Sequence, residues 1–218
     1  MMYSPNYRHA RFRPLAAIAL LVLVVCASPV GAASESHMLT DVPATPQAWA
    51  LSCEYAATSA ATAMYGTVVT QWRLRASIDT DPNPHKGFRG DITGAPGGTT
   101  DYGVYAEPIA AALHQYGFTH SYVFYGGLDN LRAEIAAGRP VVVWVTGTWK
   151  PSSRQVLRDD AGDRYSLIPD EHAVTVYGYD GDGIWVMDPA GPDKYRVSWD
   201  RFLTGWDQLD DMALVVAK

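Results

Sequence analysis

Cysteine is scarce in this chain: 218 residues hold two, Cys26 and Cys53. Clustered lysine and arginine are missing as well, and the formal net charge is −6. An acidic chain without a basic patch is not built to hold nucleic acid or to sit on an anionic membrane. The six histidines include no pair spaced i, i+4, which excludes the common helical zinc motif. Asp180, Asp182 and Asp188 lack the spacing of a calcium loop, so neither a metal nor an organic cofactor is expected. There is no internal repeat, no low-complexity linker and no Gly-rich nucleotide-binding motif.

The N-terminal apolar run, Leu15 to Val25, is too short to span a bilayer comfortably. It follows Arg8, Arg11 and Arg13 and precedes the small residues "VGAA" at Val30 to Ala33. That order is the order of a secretory signal peptide over residues 1–32, cut after Ala32. A lipid anchor on Cys26 is the weaker alternative, because Val25 is bulkier than the residue usually found before a lipidated cysteine. Cleavage leaves residues 33–218, a length suited to one domain with a substantial core, with a net charge of −9 once the three arginines are gone. The expected product is exported, secreted or held at the cell wall, without stable membrane insertion, and monomeric. Its one remaining thiol is Cys53. A lone thiol outside the cell is a buried inert residue, an intermolecular link or a reactive group.

Periodicity places helices early and strands late. "CEYAATSAATAMYG" carries a small-residue stripe at i, i+3/i+4 (Tyr55, Ala56, Ser59, Ala60, Ala63, Met64) that ends at Gly66. Shorter helices are expected over 69–77, 105–117 and 128–138, with Pro108 in a first turn and Gly138 at an end. Strands are expected over 140–148, 173–180, 183–189, 194–199 and 212–218, where β-branched and aromatic runs are broken by Gly, Pro and Asp. The fold class is α+β, with N-terminal helices packed on a C-terminal antiparallel β-sheet. Residues 79–103 form a long Asp/Pro/Gly-rich loop; loops of that length are usually functional. The stretch from His85 to Gly98, with Tyr102 and Tyr105, is the candidate substrate rim or a structural Ω-loop.

Four residues carry the candidate chemistry. Cys53 begins the first helix, where Ser52 can cap and the helix dipole favours a thiolate; the plain alternative is a small core residue. His172 stands at the mouth of the apolar strand "HAVTVYGYD", and Asp188 ends the next strand in "WVMDPAG". A carboxylate there can orient the imidazole and favour its cation. The two share a face only if the hairpin between them has an odd loop or carries a bulge, because side chains alternate with period 2. Gln47, six residues before Cys53, can offer an amide to a developing oxyanion beside the Cys53 N–H. Trp144, Trp149, Trp185, Trp199 and Trp206 fit an aromatic groove or, more simply, the core.

The segments "PQAWALSCEYAATSAA", "HKGFRGDITG", "DYGVYAEPIAAAL", "GRPVVVWV", "EHAVTVYGYD" and "IWVMDPAG" together resemble the C39-like peptidase family of the papain-like cysteine peptidase superfamily, over nearly all of the chain from Val42. The resemblance implies a papain-like fold, with Cys53 as nucleophile, His172 as general base and acid, Asp188 as orienting residue and Gln47 as oxyanion donor. It also implies a bacterial, secreted or wall-associated thiol protease. Many members of the wider group read Cys-Gly-Pro at the nucleophile, where this chain reads Cys53-Glu54-Tyr55. The expected activity is hydrolysis of peptide or isopeptide amide bonds in a peptide or protein substrate. The alternatives are an amidase or endopeptidase acting on cell-wall peptide, and a papain-fold binding module without turnover.

Overall fold

The computed structural model describes residues 1–2 and 35–218. The leader, its cleavage position and the lipid-anchor alternative at Cys26 fall outside the described residues. The elements follow in the order β1 (His37–Met38), α1 (Cys53–Ala63), α2 (Gln71–Ser77), α3 (Ala106–Gln115), β2 (Tyr122–Tyr125), α4 (Leu128–Ala136), β3 (Val141–Thr146), β4 (Gln155–Arg158), β5 (Arg164–Leu167), β6 (Glu171–Tyr179), β7 (Gly183–Asp188), β8 (Asp193–Ser198), α5 (Trp199–Asp207) and β9 (Met212–Val215). This is the expected α+β class. The strands form one seven-stranded sheet in the order β2-β9-β3-β6-β7-β8, with β1 also on β6, and a separate hairpin of β4 and β5. Every pairing in the sheet is antiparallel.

Helices cover both faces of this sheet, which explains why β3 reads as an unbroken apolar run with all six residues buried. Val142 and Trp144 look toward α1 and α3, where they join Tyr55, Ala57, Ile109 and Leu113. Val141, Val143 and Val145 look the other way, toward Leu131 and Ile135 of α4 and Phe202 and Trp206 of α5. A strand buried on both sides needs apolar residues at every position rather than every second one. The same crowding accounts for α1, whose buried residues run from Cys53 through Thr62. Its small side chains let it lie deep between sheet and loop, so the stripe expected from periodicity widens to nearly the full circumference. Gly66 ends the turn with φ +67°, the left-handed conformation that glycine adopts without a Cβ penalty.

Four strands (β1, β2, β4 and β5) and the helix α5 were not legible in the sequence. β2 lies in "SYVFYGG", β1 in "SHML", and β4 and β5 form the separate hairpin. The strand expected through Trp199 stops at Ser198 because Trp199 begins α5. The hairpin between β6 and β7 closes tightly, Asp180 N–H donating to Gly183 O at 2.9 Å. The register shifts between Val176 and Gly178, so Tyr177 is an extra, bulged residue. Beyond the bulge Thr175 lies opposite Met187, which sets Asp188 across from Val174 and on the face of His172. Without that one residue the two side chains would point to opposite sides.

Gly183 faces Ser198 on β8, and a Cβ there would sit 2.0 Å from the Val197 carbonyl oxygen. Backbone cannot move aside as a flexible side chain can. Gly183→Ala is therefore expected to lower stability by about 3 kcal/mol and the melting midpoint by roughly 6–12 °C. A midpoint within a degree of wild type would contradict this packing.

Candidate active site

The segment that delivers Cys53 to the head of α1 is pinned from three sides. Gln71 of α2 accepts from the Ala48 N–H at 2.9 Å and the Ser52 hydroxyl at 3.1 Å, and donates to the Pro46 carbonyl at 2.9 Å. Leu51 N–H donates to Ile92 O of the long loop at 3.0 Å, and Gln47 N–H donates to Pro189 O, just past β7, at 3.1 Å. Ser52 occupies the N-cap position but makes no capping bond. Its hydroxyl is engaged with Trp49 and Gln71 instead, which corrects the expected cap. Cys53 is buried, 6% exposed.

His172 and Asp188 meet as the bulge requires: Nε2 lies 2.7 Å from Asp188 Oδ1. Asp188 is held further by the Ala190 N–H on Oδ1 (3.0 Å) and the Tyr195 hydroxyl on Oδ2 (2.7 Å). Burial acts to raise its pKa, but these bonds and the imidazole outweigh it and bring the carboxyl down to about 2. Asp188 is thus a carboxylate at any ordinary pH. It fixes the ring with Nε2 spoken for and leaves Nδ1 as the nitrogen able to exchange a proton elsewhere.

Strand alternation has a second effect. Glu171, Ala173 and Thr175 face α1, where the Thr175 hydroxyl donates to Ala57 O at 2.8 Å, while His172 and Val174 belong to the opposite face. Two acidic side chains therefore stand close to the sulfur. Cys53 Sγ donates to Glu54 Oε2 at 3.4 Å, and the sulfur and the Glu54 and Glu171 carboxyls lie within 4.8 Å of one another. Burial first, then the charges of Glu54 and Glu171, push the thiol well above its ordinary pKa, against a lowering bond from the Ala173 N–H. Burial also lifts Glu54 to about 7, although the Val104 N–H donates to its Oε1 at 2.8 Å. Glu171 is raised by burial and by the charge of Glu54, and its Oε1 is buried without a hydrogen-bond partner. With one oxygen of Glu54 taken by backbone and no imidazole in the group, this set suits a shared proton better than a zinc site.

Cys53 and His172 line one cavity of about 170 Å³, together with Gln47, Leu51, Glu171 and, across from them, Pro96 to Gly98, Asp101 and Tyr102. All but Asp188 of the four predicted residues thus reach the cavity wall, and Asp188 stands behind His172. Gln47 faces the cavity with its amide hydrogens already given to Trp49 O (2.9 Å) and Ala50 O (2.7 Å). An oxyanion role requires it to exchange one of them. Of the expected rim (His85 to Gly98 with Tyr102 and Tyr105), Pro96, Gly97, Gly98 and Tyr102 line this cavity, and His85 and Tyr105 are engaged elsewhere. His85 is drawn away by Glu107 (3.0 Å), and Tyr105 donates to Ser166 O (2.7 Å). The five tryptophans build no groove at this cavity; Trp144, Trp149 and Trp206 are buried core residues. Sequence reasoning missed Glu54, Glu171, Gln71 and Tyr195. A glutamate adjoining Cys53 and another adjoining the candidate histidine were the available signals.

The family model described as "Peptidase_C39 like family" matches residues 39–214. The uncharacterized protein YvpB of Bacillus subtilis (strain 168) is 27% identical over 137 residues, 62% of this chain and 53% of that protein, so the chain spans about half the length of that relative. A Bacillus anthracis protein whose crystal structure was solved as a candidate C39-like peptidase superposes with a TM-score of 0.72 at 25% identity, over 84% of this chain and 98% of its own. With the family model running from residue 39 through α1 and the His172–Asp188 hairpin into β9, the chain belongs to the Peptidase_C39 like family.

Proposed function

We propose that this protein is a secreted cysteine hydrolase that cleaves amide bonds in peptides. The observation that carries the reading is the cavity in which the sole thiol of residues 35–218 and a carboxylate-anchored imidazole share a wall. In the proposed reaction the Cys53 proton passes to His172 Nδ1 and the sulfur attacks the substrate carbonyl carbon. The oxyanion that forms is met by the Cys53 N–H, one of the first-turn donors a helix leaves unpaired, and by the Gln47 amide once it exchanges a carbonyl for the substrate. His172 then protonates the leaving amine, and the thioester is released by water that His172 deprotonates. Asp188, backed by Tyr195, keeps the ring oriented through both halves.

The narrow cavity between residues 47–53 and 96–102 favours an extended peptide over a bulky ring system as the group that reaches the thiol. The test is incubation of the purified full-length protein with a mixed-sequence peptide library, followed by mass spectrometry. Internal cleavage with free carboxyl and amine ends is the expected result. No cleavage at enzyme concentrations that alkylate stoichiometrically at Cys53 would contradict hydrolysis and leave binding as the function.

A further inference from the structure

Two carboxyls stand within 4.8 Å of the Cys53 sulfur, and the proposed mechanism uses neither. Glu54 follows the thiol on α1, and Glu171 faces it from β6. Their oxygens and the sulfur are mutually within 4.8 Å. Glu54 receives the thiol proton in a 3.4 Å bond on Oε2 and the Val104 N–H on Oε1, while Glu171 Oε1 is buried with no partner. Gly103 completes the enclosure: a Cβ there would lie 2.0 Å from Glu54 Oε1 and 3.5 Å from Glu171 Oε2. No lysine or arginine forms a salt bridge to either carboxyl among the described residues. The other titratable groups facing the pair are the thiol and the Tyr55 phenol from α1, the His172 imidazole from β6, and the Tyr102 and Tyr105 phenols from the segment before α3. None is a fixed cation.

We propose that Glu54 and Glu171 share one proton and act as positioning residues that set the pH window of the Cys53 nucleophile. Two buried carboxyls this close cannot both ionise at low cost, so the second proton leaves only at a raised pH. While Glu54 carries the shared proton, its O–H can donate to sulfur, and the thiol proton can pass to His172 to give thiolate and imidazolium. Loss of the shared proton reverses the bond: the carboxylate then accepts S–H, as in this structure, and two negative charges oppose a third. Raising the pH toward 8 thus switches the nucleophile off, the opposite of the response of an ordinary thiol. The proposal rests on the hydrolase reading for its consequence in turnover, but the proton pair itself does not.

The experiment follows iodoacetamide alkylation of Cys53 from pH 5 to 9 in the full-length protein, in Glu171→Gln and in His172→Ala. It is paired with a carbon-13 titration of the glutamate side-chain carboxyls. The wild-type rate is expected to fall about tenfold between roughly pH 6 and 8, one pKa unit's worth of thiolate. Glu171→Gln is expected to abolish that fall, and one glutamate carbon is expected to titrate near neutrality. Superimposable wild-type and Glu171→Gln profiles that climb toward the ordinary thiol pKa of about 8.5 would overturn the proposal, as would glutamate carbons that all titrate near about 4.3. Failure of the hydrolase reading is separate: it appears as alkylation indifferent to His172→Ala, whatever the glutamate carbons do.

Discussion

Cys53→Ala is expected to lower peptide turnover by about 10,000-fold or more, while Asp188→Asn lowers it by about 1,000-fold and leaves Cys53 present and folded. The difference follows from what each group does. Removing the sulfur removes the atom that forms the thioester, and only binding and the backbone donors remain. Asparagine in place of Asp188 keeps the size and one carbonyl oxygen for the His172 and Ala190 donors, but it loses the charge that favours the imidazolium. It also turns an NH₂ toward the Tyr195 hydroxyl, which now donates to Oδ2 at 2.7 Å. The kcat loss should exceed any change in KM, since Asp188 stands behind the ring and outside the cavity lining. Equal kcat in the Asp188→Asn protein would mean that His172 needs no orienting partner. The check is a full kcat and KM determination on a peptide found in the library, with circular dichroism to verify the fold.

The second large effect is on stability, and its sign is set by the buried acids. Glu54 is raised from about 4.5 to about 7 in the folded state, so the native protein holds a proton that the unfolded chain releases across that interval. Stability is then full below about pH 4.5 and falls as pH rises to about 7, by on the order of 3 kcal/mol for this group. Asp188 works in the other direction. Its folded carboxyl is lowered to about 2, so its contribution is present above about pH 4 and is lost as pH falls through about 2. Together they put the stability maximum on the acid side of neutrality. Urea unfolding from pH 3 to 8 checks this, with Glu54→Gln expected to flatten the neutral slope. A wild-type free energy that rises from pH 5 to 8 would contradict the burial of these carboxyls.

The helices and the central strands could be read from the sequence because their signals are local. Gly66, Gly138 and Pro108 mark helix ends, and the Val-rich run of β3 has no other use in a chain this short. The Cys53, His172 and Asp188 set was readable for a related reason: one cysteine in residues 35–218, one strand-mouth histidine and one strand-end aspartate leave few combinations. The bulge at Tyr177 was legible only as a requirement, since the parity of the β6–β7 hairpin demanded a bulge or an odd loop without saying which. What escaped depends on faces. Glu171 precedes the histidine by one residue and so points to α1 and the sulfur, a consequence of alternation that appears only once α1 is known to pack on that face. Gln71 and Tyr195 act across distances in sequence that no local pattern encodes. β2 was hidden because its ladder partner, β9, lies far along the chain, with Tyr122 opposite Val215 and Tyr125 opposite Met212.

The most direct measurement is intact and peptide-level mass spectrometry of the full-length protein after exposure to a peptidyl acyloxymethyl ketone, a reagent that needs an activated cysteine. The expected result is one adduct per chain on Cys53, formed fastest at mildly acidic pH and absent in His172→Ala. An unmodified Cys53 in a protein that still cleaves peptides would contradict the assignment of the nucleophile. An adduct whose rate is the same in wild type and His172→Ala would contradict the thiol–imidazole chemistry on which the proposed activity stands.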